Sequence, residues 1–312
     1  MKARSYRSVL AAGFRLYTSY FRRLFKASWQ MALLYALCCG ALGTLTAISL
    51  PEMTIGITQQ LAVNQTIGLD VLQQYSLTII QILLLILLAV ATLALASAPI
   101  LSKLKVHKET GTVTIPPHWL TASPHLMGRS LKVVFFTLLV TLIPFCLFIA
   151  LLVGAEIASP QFIIRHLVTT LVIFVGFTIV IMLLSLPLFH VVMKYVMEAP
   201  CSYWNTLIQN YGKGMRHWGL LFLVFFVSTL LVQLVAFIIM MPSYILSFAN
   251  QQAHLGLLLG DPLGMPSYIT ALTFITVTLC NFLQFYLSQI ILVHNYYVYG
   301  SIETREQERR QL

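Results

Sequence analysis

Six long apolar runs, at about 29–50, 75–101, 131–153, 163–194, 218–241 and 268–297, constrain this chain more than any other feature. Each reaches or exceeds the roughly 20 residues that carry an α-helix across about 30 Å of hydrocarbon. Inside a bilayer every backbone N–H and C=O must be satisfied within the segment, which leaves the helix as the form these runs can take. Only 9% of the 312 residues are charged, against roughly 25% in a soluble domain. The reading is a single integral membrane domain over 1–312, all-α and polytopic, with six transmembrane helices.

Charge placement sets the expected topology. With Lys132 and Lys194 counted at the span ends they mark, all of the 19 lysines and arginines but Arg165 fall before the first run, between the second and third, between the fourth and fifth, or after the sixth. The positive-inside rule then puts the N- and C-termini in the cytoplasm. A net charge of +10 does not point to nucleic acid, because the basic residues flank the apolar runs as topology signals. Anionic lipid headgroups at the inner face are their expected partners.

The stretch from Ser185 to Val224 forms an elbow between the fourth and fifth runs. Pro200 suits a first helical position, and Trp204, Leu207, Ile208 and Tyr211 recur at spacings of three and four. Ser202, Asn205, Gln209 and Asn210 take the other face, so a short amphipathic helix in the headgroup layer is expected. Gly212 and Gly214 allow a turn after it, and Lys213, Arg216, His217 and Trp218 hold the next entry at the interface. A second interfacial helix is expected over Leu10–Phe25, ahead of a first span that stops at Pro51. Pro144 and Pro187 mark kinks.

A unit of inner segment, outgoing span and returning span occurs three times. Ser97-Ala98-Pro99-Ile100 corresponds to Ser185-Leu186-Pro187-Leu188, and Ser288-Gln289-Ile290-Ile291 takes the third place without the proline. The expected architecture is therefore three hairpin repeats with interfacial amphipathic helices.

Chemistry is sparse. The acids and bases lie in connectors, tails or span ends, which argues against a proton-coupled pump. His190 is read as the strongly titratable side chain within a span, as an interfacial histidine. In the sixth run, Asn281, Gln284 and Ser288 share one face, met by Gln233 from the fifth. They would serve as hydrogen-bonding glue between helices, or as a polar lining for a headgroup or small solute. His107, His118 and His125 match no compact zinc spacing, and the five cysteines form no CxxC motif, so no cofactor or metal is expected. Asn64-Gln65-Thr66 is a formal glycosylation sequon, while the connectors from Lys103 to Arg129 and from Pro242 to Pro266 read largely as loop. The chain ends in a polar tail after Tyr297.

The three units, with the elbow's order of a proline-bearing span end, Glu198, an amphipathic helix and the basic-aromatic entry at Arg216 and Trp218, resemble uncharacterised bacterial six-span families. These are the YciC-like proteins and the membrane domain found beside glycerophosphodiester phosphodiesterases. The resemblance implies a multi-pass protein of the bacterial inner membrane and carries no catalytic residues. A non-enzymatic scaffold or accessory subunit in envelope or lipid homeostasis is the expected role, with a membrane protein partner or a homo-oligomer. The alternative is a transporter or flippase for a lipid or small amphiphile, using Pro144 and Pro187 as flexible points.

Overall fold

A computed structural model describes residues 4–64, 69–111, 124–158, 167–198, 202–258, 266 and 268–311. It is all-helical over them, with α1 at Tyr6–Asn64, α2 at Leu69–Thr110, α3 at Pro124–Ala158, α4 at Leu167–Met197, α5 at Tyr203–Arg216, α6 at Trp218–Leu258 and α7 at Tyr268–Gln311. Six of the seven are long and apolar enough to cross a membrane. The sequon's Gln65 and Thr66, the middle of the second inner connector with His118, Arg165, Pro200 and the loop over 259–265 lie outside the described residues.

The helices overrun the sequence-read boundaries. At 59 residues, α1 is about 88 Å long at 1.5 Å per residue, and it absorbs the expected interfacial helix, the first span and Pro51 into one rod. Proline removes one N–H and crowds one turn, which a helix of this length tolerates, and Thr54 donates its hydroxyl to the Pro51 carbonyl at 2.9 Å. Nothing between Lys26 and Trp29 breaks the backbone, so the segment read as a separate interfacial helix simply continues.

Connectors shorten for the same reason. Lys103 and Lys105 extend α2 rather than opening a loop, because cationic side chains suit a helix C-terminus. The helix ends where Gly111 takes a positive φ of 72°, with its N–H bonded to the His107 carbonyl at 3.0 Å. Likewise the expected polar tail is the last third of α7.

α1 and α7 pack along each other, with α2 and α6 also against α1. Ser28, Ala32, Ala36 and Gly40 recur every four residues as a buried stripe on α1. Small residues at this spacing let two helix backbones approach closely. A Cβ on Gly43 would come within 2.8 Å of Val277, and one on Gly40 would overlap Thr278.

The packed interior lies at the basic end of the bundle. Tyr17 and Leu24 of α1, Ile100 and Leu104 of α2, Met193 of α4, Tyr203 of α5, and Phe285, Val293, Tyr296 and Tyr299 of α7 form one buried cluster. Val9, Leu221, Val224, Val298 and Ile302 form a second. By contrast, α2 from Leu77 to Leu88 and α4 from Val168 to Leu184 expose much of their apolar surface. Such flanks suit lipid as a neighbour.

Candidate functional site at the basic end

Polar and charged groups from α2, α4 and α7 meet above the core. Lys194 of α4 donates to Glu303 Oε1 of α7 at 2.8 Å and lies 3.5 Å from Glu198 Oε1 one turn along its own helix. His190, fully buried, brings Nε2 to 3.4 Å from the same Glu303 oxygen. Tyr299 donates its hydroxyl to Glu198 Oε1 at 2.8 Å and accepts from Lys108 Nζ at 3.0 Å. A continuous polar run thus links α2, α7 and α4, from Lys108 through Tyr299, Glu198 and Lys194 to Glu303.

Two further anchors attach α3 and α6. Buried Arg129 donates to the Glu198 carbonyl at 2.7 Å and lies 4.4 Å from the centre of the Tyr195 ring. One turn beyond Glu303, Glu306 accepts from His217 Nε2 at 3.0 Å and pairs with Arg216 at 3.5 Å. These carboxylates hold the α5–α6 joint against the C-terminal helix. The His217–Glu306 contact, shielded from water on both sides, is screened less than the exposed Arg216 contact.

The elbow docks on Pro187. Because proline has no N–H, the carbonyl four residues earlier, Leu183, loses its helical partner and is crowded by the ring. Trp218 donates its indole N–H to the Leu183 carbonyl at 3.4 Å, and Tyr211 donates its hydroxyl to the Leu184 carbonyl at 2.8 Å. Gly214 permits the approach, since a Cβ there would lie 2.9 Å from Pro187 Cβ. Trp218 then opens an aromatic ladder, its ring stacked on Phe222 at 5.1 Å and Phe222 on Phe226 at 5.7 Å.

The amphipathic helix has three faces rather than two. Tyr203, Thr206, Asn210 and Gly214 are buried, so Asn210 leaves the polar face assigned to it. Its amide donates to the Thr206 carbonyl at 2.9 Å and its oxygen accepts from Lys213 at 2.7 Å. Trp204, Ile208 and Met215 stay exposed at 45%, 76% and 42% as an apolar strip, with Asn205, Gln209 and Arg216 exposed beside it. Gly212 and Gly214 lie inside the helix, and the chain turns instead at His217. Burial and the nearby Lys194 charge hold the Lys213 ammonium below the usual lysine pKa; Glu303 and Glu306 oppose this, and Arg310 adds to it.

The face expected on the last span does not assemble into a shared cluster. Asn281 donates to the Val277 carbonyl at 2.8 Å and Ser288 to the Phe285 carbonyl at 2.7 Å, both within α7. Gln284 is half-buried and Gln233 is exposed on α6. Pro144 and Pro187 both lie inside continuous helices. Short polar side chains next to a helical carbonyl satisfy themselves locally before reaching another helix.

A histidine within the last span, His294, does join helices. Its Nε2 donates to the Leu10 carbonyl at 3.2 Å, which leaves Nδ1 to accept from the Ser228 hydroxyl at 2.8 Å. It therefore joins α1, α6 and α7 in one defined tautomer. A Cβ on Gly13 would overlap the His294 ring. The spacing Tyr296, Tyr299, Glu303, Glu306 follows one helix face and is the sequence signal for the network that the polar-tail reading overlooked.

With six helices of this length and composition, the chain is a multi-pass helical membrane protein. No protein-family model, curated protein or solved structure matches it.

Proposed function

We propose that this protein is a non-enzymatic membrane scaffold or accessory subunit, acting in envelope or lipid homeostasis at the bacterial inner membrane. The termini face the cytoplasm, as the basic residues imply, and the resemblance to YciC-like six-span families points the same way. One observation carries the reading: the network through Glu198, Glu303 and Glu306 ties the charged ends of α2, α3, α4, α6 and α7 into a fixed platform. Around it, the exposed apolar flanks and the Trp204–Met215 strip offer lateral surface to lipid and protein. Interfacial helices of this kind hold such a platform at the headgroup layer. The three hairpins are units of one design, each returning to the platform.

Mass spectrometry of the protein extracted in native lipid nanodiscs, compared with an unrelated six-span protein, tests the proposal. A stoichiometric protein partner, or a homo-oligomer, is the expected result. Retained lipid without any partner, together with transport lost in N281L/Q284L while the protein stays folded and abundant, would replace the scaffold reading with transport.

A further inference from the structure

Two cavities at the basic end meet at Arg4 and Tyr297. One, of about 340 Å³, is lined by residues including Arg4, His107, Lys108, Tyr296, Tyr297 and Ser301. The other, of about 520 Å³, continues along α1 past Ser8, Arg15, Ser19 and Tyr20. Both fall within the roughly 300–1,000 Å³ typical of small-molecule sites. Neither lining contains a carboxylate, and among the described residues no carboxylate pairs with Arg4, Arg15 or Lys108.

This differs from the adjoining network. Lys194, Arg216 and His217 meet acids directly, whereas Arg4 and Lys108 meet aromatic rings, and Lys108 reaches Glu198 only through the Tyr299 hydroxyl. The Arg4 guanidinium lies 5.0 Å from the centre of the Tyr297 ring, and Lys108 Nζ 5.1 Å from that of Tyr299. An arginine braced on a ring keeps its planar donor fork available, and lysine adds a compact point charge. Backbone bonds fix the arginine's origin: the Arg4 N–H donates to Ser301 Oγ at 2.9 Å, and the Arg4 carbonyl accepts from Arg305 at 2.8 Å. The segment leading into α1 and the last helix therefore set the site jointly.

We propose that the joined cavities bind a phosphate-bearing anion, with Arg4 and Lys108 on the phosphoryl oxygens, hydroxyls from Ser8 and Tyr20 on the attached group, and Arg15 as a third cation. A lipid headgroup and a free phosphate ester share this chemistry. Only the lipid source rests on the scaffold reading and its orientation.

The test uses the full chain in neutral detergent. Phosphatidylglycerol retention is read by native mass spectrometry, and protection against thermal unfolding is measured with phosphatidylglycerol, phosphatidylcholine or inorganic phosphate. Wild type should hold phosphatidylglycerol at least tenfold more tightly than R4Q/K108Q, because two charge-assisted contacts are lost. R22Q, an exposed arginine outside both linings, should match wild type. If R4Q/K108Q does not fold, R15Q takes its place, since Arg15 is exposed and should leave the fold intact while weakening retention. Protection by phosphatidylglycerol alone assigns a headgroup, and protection by inorganic phosphate as well assigns a soluble phosphate ester. Equal retention by wild type, R4Q/K108Q and R15Q, or no protection by either anion, would overturn the site whether or not a protein partner is found.

Discussion

Adding one methyl group at each of two glycines in α5 separates helix propensity from packing. Alanine is favoured over glycine inside a helix by about 1 kcal/mol. Gly212 has nothing within 4 Å of a built Cβ, so G212A should stabilise the protein by about 0.5–1 kcal/mol. Gly214 gains the same propensity, but its Cβ would meet Pro187 Cβ at 2.9 Å, Pro187 Cα at 3.0 Å and the Pro187 carbonyl oxygen at 3.1 Å. Ring and backbone atoms cannot rotate away, so α5 must move off α4, an overpacking that costs about 1–3 kcal/mol. The propensity gain cancels in the comparison, leaving G214A less stable than G212A by about 1–3 kcal/mol. Unfolding in mild detergent, followed by tryptophan fluorescence, to which Trp204 in α5 and Trp218 at the start of α6 contribute, measures the difference. Equal stability of the two variants would refute the docking of the elbow on Pro187.

E303Q and K194Q should each lower stability, and their double variant should cost less than the sum by about 0.5–3 kcal/mol, read from a double-mutant cycle in the same assay. W218F removes the donor to the Leu183 carbonyl and should cost about 0.5–1.5 kcal/mol. In a P187A background the helix regains its own N–H there, and the W218F penalty should shrink. G40A should lower the yield of folded protein by driving a methyl into Thr278, and T278A should restore part of it, as judged by size-exclusion chromatography.

Apolar runs and basic flanks are strong signals because a bilayer penalises exceptions severely, and six long apolar helices were legible from them. Helix ends were not. Pro51 and the charged segment after Leu101 look like terminators in isolation, yet one lost N–H is tolerable and cations favour a helix C-terminus. The amphipathic helix was legible by periodicity, but Asn210 shows the limit of assigning faces by polarity. A buried amide that donates to Thr206 and accepts from Lys213 has a partner for each of its polar atoms. Asn281 and Ser288 look available for interhelical bonding in sequence, yet each donates to a carbonyl of its own helix. Glu303 and Glu306 are hard to read, because a charged C-terminal segment looks like a solvated tail unless its phase is traced back through Tyr299 and Tyr296.

The pairing of α1 with α7 also sets a clock. Arg4 and Ser301 bond across 297 positions of chain. At roughly 5–20 residues per second, a ribosome needs on the order of 15–60 s to make the intervening sequence. Throughout that interval the small-residue stripe from Ser28 to Gly40 has no α7 to close on. The nascent protein therefore stays open until its final helix emerges, and a message truncated before α7 yields five inserted spans with no seam to zip shut.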